Sequence, residues 1–194
     1  MQELADGVAR FQRDVFPARA ELFARLAAHH APHTLFIGCS DARVVPELIT
    51  GTEPGELFVV RTAGNLVPAH TSGADGVAAS VEYAVTVLGV RDIVVCGHSA
   101  CGAMTALERG QDLGGAPAVA AWLRHADASV ARTGAGAGVP ALVRHNVRAQ
   151  LANLATHPPV ARALARGAVA LHGWVYDIPT GRVEDLTAGA ALAA

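Results

Sequence analysis

The chain has 194 residues, 52% hydrophobic and 16% charged, with a formal net charge of -2 at pH 7. That length supports one substantial core and predicts a single domain over 1–194. The charge balance offers no basic surplus for gripping nucleic acid and no acidic tail, so nucleic acid is not an expected partner.

The opening residues, MQELADGVARF, mix charges from the start and carry no signal-peptide pattern. From Glu3 to His30, Leu4, Val8, Phe11, Val15, Leu22, Phe23 and Leu26 recur at helical spacing, which predicts an amphipathic arm over 1–30 broken by Pro17. Such an arm packs on a partner subunit or on its own core. Thr34 to Ile37 reads as a buried strand ending at Gly38, and Leu57 to Arg61 as a second, introduced by the turn Pro54-Gly55. Ser72 or Asp75 is placed to cap a helix running through Val77, Val81, Tyr83 and Val87 to a stop near Gly89. Asp92 to Cys96 predicts a third strand, Gly97 to Gly102 a turn, and Ala103 to Arg109 a helix.

Beyond this, Ala116 to Ala155 reads as two helices split by the Gly/Ala stretch Gly134 to Gly138, and Pro158-Pro159 starts another. Val169 to Tyr176 is a further strand, and Pro179-Thr180-Gly181 turns the chain toward a final one at Arg182 to Leu186. Strands alternating with helices predict an α/β fold with a mainly parallel central sheet flanked by helices.

The three cysteines, Cys39, Cys96 and Cys101, are too few for a disulfide scaffold. No apolar run reaches the ~18 residues of a membrane span; the nearest, Gly76 to Val90, is interrupted by Glu82. A cytoplasmic protein with no membrane partner is expected, and there cysteine near histidine suggests metal or catalysis.

Two clusters carry candidate chemistry: Cys39-Ser40-Asp41-Ala42-Arg43 after the first strand, and Gly97-His98-Ser99-Ala100-Cys101-Gly102 after the third. Open parallel sheets gather ligands at such strand ends. His98-x-x-Cys101 can put two donors on one ion, and Cys39 can supply a third. Thiolate and imidazole favour zinc, and three protein ligands leave a fourth position open. Asp41 is a weaker fourth candidate. Arg43 is its natural partner and would hold it off the metal, where it could accept a hydrogen bond from zinc-bound water; freed of Arg43, it could swing in and close the site. Two thiolates cancel the ion's charge, so its water should be less acidic than the ~7 of a three-histidine site.

Cys39-x-Asp41-x-Arg43 followed by His98-x-x-Cys101 resembles the signature of the β-class carbonic anhydrases. FIGCSDARV, PGELFVVRTAGNLVP, SVEYAVTVLGVRDIVVCGHSACGAM and LHGWVYDIPTG extend the resemblance from Phe36 to Gly181. It implies one zinc ion per chain on Cys39, His98 and Cys101, with Asp41 and Arg43 orienting the water. It further implies hydration of carbon dioxide to bicarbonate by zinc-bound hydroxide. Phe58, Ala63, Tyr83 and Gly102 match positions lining the carbon dioxide pocket, which in the family sits at a subunit interface. A homodimer or dimer-based higher oligomer is therefore expected, with the arm packing on the partner subunit.

Some positions depart from the pattern. His30 stands where many plant-like members have a substrate-bonding glutamine. Phe36 replaces the tryptophan of the bicarbonate-inhibited bacterial group, whose arginine Arg61 matches, and Thr62 replaces a frequent asparagine. Among the other histidines, His29, His30, His33 and His70 are candidate proton shuttles. His125, His145, His157 and His172 read as structural, and Cys96 as a core residue.

Other chemistries fit less well. Gly97-His98-Ser99-Ala100 nearly makes a nucleophile elbow around Ser99, but Cys101 stands where the strained turn needs glycine. No cysteine has the arginine spacing of a phosphatase loop. A zinc scaffold closed by Asp41, and hydrolysis of carbon disulfide or carbonyl sulfide at the same centre, remain as alternatives.

Overall fold

The computed structural model describes residues 1–188 except Ala74 and Ala135. The chain forms two compact units, Met1–Ala31 and Pro32–Ala194. In the first, helix α1 (Gln2–Arg10) runs into a wider π-type turn at Phe11–Val15, and α2 (Ala20–Ala28) follows a 3-10 turn at Pro17–Arg19. The break falls at Arg19 (φ -120°), not at Pro17, because proline is tolerated where a new helical segment starts. The helix also stops two residues before the expected His30. Phe11, Phe16 and Phe23 cluster with ring centroids 5.4 to 6.1 Å apart. Leu4 and Val8 stay exposed.

In the second unit, strands β1 (Thr34–Cys39), β2 (Leu57–Thr62), β3 (Asp92–His98) and β4 (Ala170–Tyr176) are parallel, in the order β2-β1-β3-β4. Strand β5 (Val183–Asp185) adds antiparallel to β4 at the edge. The sequence placed the strand ends too early: β1 runs on to Cys39 and β3 to His98, so two of the three thiol and imidazole residues terminate strands. Between them lie α3 (Pro46–Thr50), which the apolar pattern did not announce, α4 (Gly76–Glu82), α5 (Gly102–Glu108) and α6 (Pro117–Leu123). Helices α7 (Asp127–Thr133), α8 (Gly138–Ala155) and α9 (Pro158–Ala165) complete the unit. The first of the two helices expected over 116–155 is thus itself divided, by a 3-10 turn at Arg124–Ala126.

Asp75, not Ser72, caps α4, its Oδ1 accepting from the Val77 and Ala78 amides at 2.8 Å. Alternation along β1 sends Leu35 and Ile37 into a core with Ile93, Val95, Val81, Val147, Leu151 and Leu154, and Phe36 to the opposite face with Val94, Cys96 and Trp174. Each buried aliphatic side chain contributes about 1.5–3 kcal/mol of transfer free energy. Helix α8 lies close on the sheet because the facing strand positions are glycines. A Cβ on Gly97 would meet Val147 at 2.9 Å, and one on Gly173 would meet Leu151 at 2.9 Å.

Candidate metal centre

The parallel order puts the carboxyl ends of β1 and β3 side by side, with Gly38 opposite Cys96 in register. Cys39 and His98 therefore end neighbouring strands at the same edge, and the turn Ser99–Ala100 brings back Cys101 at the start of α5. Cys39 Sγ, a His98 ring nitrogen and Cys101 Sγ all lie within 4.8 Å of one another, and all three residues are buried. Tetrahedral zinc separates two thiolate ligands by about 3.8 Å, so this spacing suits the ion with small side-chain adjustments.

The histidine gives an independent test of fit. His98 Nδ1 donates to the Ser99 carbonyl at 2.9 Å. A carbonyl only accepts, so the neutral ring presents Nε2 as a bare lone pair. That Nε2 is buried without a hydrogen-bond partner. A fully buried imidazole with one unpartnered nitrogen, grouped with two thiols, is the donor set a zinc ion satisfies.

The hydrogen bond from Cys101 holds the Cys39 thiol well below its usual range, and the same pairing together with burial pushes Cys101 up. The Gly64 amide also donates to Cys39 Sγ at 3.4 Å. Cys96 stands apart: it packs beneath the sheet end against Phe36, and burial raises its thiol to about 12.

Arg43 and Asp41 meet as expected. Arg43 Nε and Nη2 donate to Asp41 Oδ1 and Oδ2 at 2.9 and 2.7 Å, and the Arg43 backbone amide adds a third bond at 2.9 Å. These bonds hold the Asp41 carboxyl far below the usual carboxylate range. Asp41 Oδ2 is 3.9 Å from His98 Nε2, so the carboxylate borders the would-be metal position while Arg43 retains it.

The pocket residues divide. Ala63 follows β2, its carbonyl accepting from Trp122 Nε1 at 2.9 Å, and Gly102 opens α5 beside Cys101. Phe58 and Tyr83 form their own aromatic pair, with centroids 5.9 Å apart. Phe58 sits opposite Leu35, four residues before Cys39, or about 13 Å along the strand at ~3.3 Å per residue. The chain does not bring that pair to its own thiols. His30 is exposed and belongs to the N-terminal unit. His29, His33 and His70 are exposed as well, whereas His157 is buried against the Pro68 carbonyl and His172 pairs with Asp92 at 2.7 Å. Ser99 Oγ accepts from the Ile178 amide, a structural bond, and His98 Nδ1 bonds the Ser99 backbone carbonyl rather than its hydroxyl.

Sequence reasoning missed the supports. Arg61, noted only as a family match, donates to the carbonyls of Cys39, Asp41 and Val44 at 3.1, 2.6 and 2.8 Å and staples the loop carrying the dyad. Asn146 and Gln150 are buried amides on the apolar face of α8 that reach the Gly64–Val67 backbone. Their signal in the sequence is polar residues at i and i+4 inside the stripe of Leu142, Val143, Val147, Leu151 and Leu154.

Comparison with known proteins agrees with this geometry. A family model described as carbonic anhydrase matches residues 34–183. A carbonic anhydrase of Pseudomonas aeruginosa is 60% identical over 192 residues, covering 96% of this chain and 87% of its own. The solved β-carbonic anhydrase CcaA superposes with a TM-score of 0.89 at 39% identity, covering 95% of this chain and 94% of that one. A tetrameric β-carbonic anhydrase of Sordaria macrospora gives 0.73 at 32% identity, covering 99% and 95%. With the match running from the first strand to the last and both thiols and the histidine inside it, the chain belongs to the β-class carbonic anhydrases, a family of lyases.

Proposed function

We propose that the protein is a zinc enzyme that interconverts carbon dioxide and bicarbonate with release of a proton, using one zinc ion per chain. The observation that carries this reading is the convergence of Cys39, His98 and Cys101 within 4.8 Å, beside a carboxylate gripped by Arg43. Those three residues would hold the ion and leave its fourth position facing Asp41. Bound there, zinc supplies the Lewis acidity that makes a water nucleophilic.

The chain's own groups do the rest. Asp41, kept ionised by Arg43, accepts a hydrogen bond from the attacking water and turns its lone pair toward the carbon of carbon dioxide. Because that carboxylate resists protonation, the proton leaves to buffer or an exposed imidazole rather than staying on Asp41. Ala63 just after the end of β2 and Gly102 next to Cys101 would line this position. Phe58 and Tyr83, remote from their own chain's thiols, would line the site of a second copy in a dimer or a dimer-based oligomer. Tyr83 is exposed in the single chain, as are Leu4 and Val8 of the arm, which supports that assembly. Three free cysteines suit the reducing cytoplasm. Among the described residues, no helix is long and apolar enough to cross a membrane.

The short Asp41 Oδ2 to His98 Nε2 distance of 3.9 Å supports a second state of the same enzyme. Released by Arg43, Asp41 would take the fourth position and close the site. Stopped-flow carbon dioxide hydration across the neutral to alkaline range, on protein assayed for zinc, tests the whole reading. Turnover that rises with pH is expected. Zinc-loaded protein without turnover at any pH would overturn the enzymatic assignment in favour of a closed scaffold.

A further inference from the structure

We propose that Trp122, outside the ligand shell, is a positioning residue for the metal centre: through the single peptide that joins Ala63 to Gly64, its indole N–H sets the aim and strength of the hydrogen bond received by Cys39 Sγ. This role rests on the metal-centre reading above and adds a residue to it.

Both bonds belong to one peptide unit. Trp122 Nε1 donates to the Ala63 carbonyl at 2.9 Å. The Gly64 amide, which is the nitrogen of that same peptide, donates to Cys39 Sγ at 3.4 Å. The directions are fixed, because an indole nitrogen and a backbone amide only donate and a carbonyl only accepts. A planar trans peptide points its C=O and its N–H in opposite directions. The indole and the sulfur therefore sit at opposite ends of one rigid plate, and pinning its oxygen opposes rotation of its N–H off the sulfur.

The fold holds this plate at both ends. Trp122 lies on α6 and packs against both of the larger core clusters, and its ring meets that of His125 edge-on with centroids 5.0 Å apart. Gly64 turns the chain directly after the peptide at φ +74°, and a Cβ there would meet Ala103 Cβ at 3.0 Å. The N–H···S bond is buried, whereas the indole bond lies nearer the surface, so the peptide carries an influence from α6 inward to the sulfur. A peptide whose oxygen accepts a hydrogen bond donates more strongly through its nitrogen, by roughly 10–30% per bond. That donor withdraws charge from a thiolate and fixes its direction, as outer partners do for metal ligands.

Two other bonds brace the same turn without engaging this peptide. Asn146 Nδ2 donates to the Gly64 carbonyl, which belongs to the next peptide, and Thr62 Oγ1 donates to the Leu66 carbonyl at 2.9 Å. Thr62 thus provides the control, since Thr62→Val removes a brace and keeps the side chain's shape.

The test uses full-length protein loaded with cobalt(II) for the thiolate-to-metal charge-transfer band, and with zinc for the Gly64 amide proton by NMR. Trp122→Phe keeps an aromatic ring and removes the N–H. It is expected to move the band to lower energy and to make the temperature coefficient of the Gly64 amide proton more negative. Zinc binding should weaken about twofold to fivefold in chelator competition, less than for a residue bonded directly to a metal ligand. Thr62→Val should leave both spectra in place. Unchanged spectra in Trp122→Phe would overturn the proposal, as would an equal shift from Thr62→Val, which would mean simple loop displacement. Wild-type protein supplies a second measurement that no folding defect can obscure: zinc uptake should move the Trp122 indole proton and leave that of Trp174 in place. A Trp122 resonance that ignores zinc, or moves no more than that of Trp174, would sink the idea. Wild-type protein that takes up neither metal would overturn the metal-centre reading and this role with it, and that result is seen before any variant is compared.

Discussion

Arg43 holds Asp41 through guanidinium Nε and Nη2 and, with Nη2, also reaches the Ala100 carbonyl at 3.1 Å. Ala100 lies between His98 and Cys101 at φ +54°, a left-handed conformation rare for a residue with a Cβ. One arginine thus ties the Asp41 carboxylate to the turn between two of the candidate ligands. Asp41→Asn should keep zinc and lose about 10²-fold or more in turnover, because the amide cannot serve as the same acceptor. Arg43→Gln should keep zinc too, and lose activity by freeing Asp41 to close the site. Stopped-flow hydration with parallel metal analysis separates these outcomes from metal loss.

Cys101→Ala should abolish stoichiometric zinc. Removing the ion from wild-type protein with a chelator should lower the melting temperature, since a ligand bound only to the folded state stabilises it by mass action. Differential scanning calorimetry before and after chelation checks this, and the chelator should leave the Cys101→Ala protein unmoved.

The close seating of α8 predicts that Gly173→Ala costs about 1–3 kcal/mol, because the new methyl meets both Leu151 at 2.9 Å and Val147 at 3.0 Å, and valine cannot swing away easily. Urea unfolding measures it.

A dimer-built pocket predicts that Tyr83→Ala raises KM more than it lowers kcat, and that removing residues 1–31 shifts the protein toward smaller species in analytical ultracentrifugation. Full activity in a purely monomeric protein would contradict the shared pocket.

The end of β5 carries a small acid-sensitive element. Asp185 Oδ1 accepts from the Thr187 hydroxyl and amide at 2.6 and 2.8 Å, and these bonds lower its pKa. A depressed carboxyl pKa adds stability above its unfolded value of ~3.9 and loses it as pH falls through the lower folded value. Thr187→Val should therefore cost under about 1 kcal/mol at neutral pH, the group being exposed, with the difference fading in strong acid. Thermal melts of both proteins at several pH values check the sign.

The residues of the centre were legible in the amino-acid order because each sits in a short local pattern. Cys39-x-Asp41-x-Arg43 and His98-x-x-Cys101 follow apolar strand runs, and hydrogen bonding between residues two apart, as in Asp41 and Arg43, needs no tertiary information. Strand–helix alternation likewise announces a parallel sheet. What only the tertiary structure decided is register and contact across the chain. Nothing in the order of residues sets Gly38 opposite both Arg61 and Cys96, yet that register brings Cys39 to His98 and lets Arg61 staple the dyad's loop. The same register holds Phe58 four residues away from Cys39. The buried bonds from Gln150 to Asn146 and from Asn146 to the Gly64 carbonyl depend on α8 descending onto Gly97 and Gly173, a packing that glycine permits but does not declare. Local chemistry is written in neighbours along the chain; long-range hydrogen bonds depend on how far the sheet lets its helices approach, and that distance is a property of the assembled core.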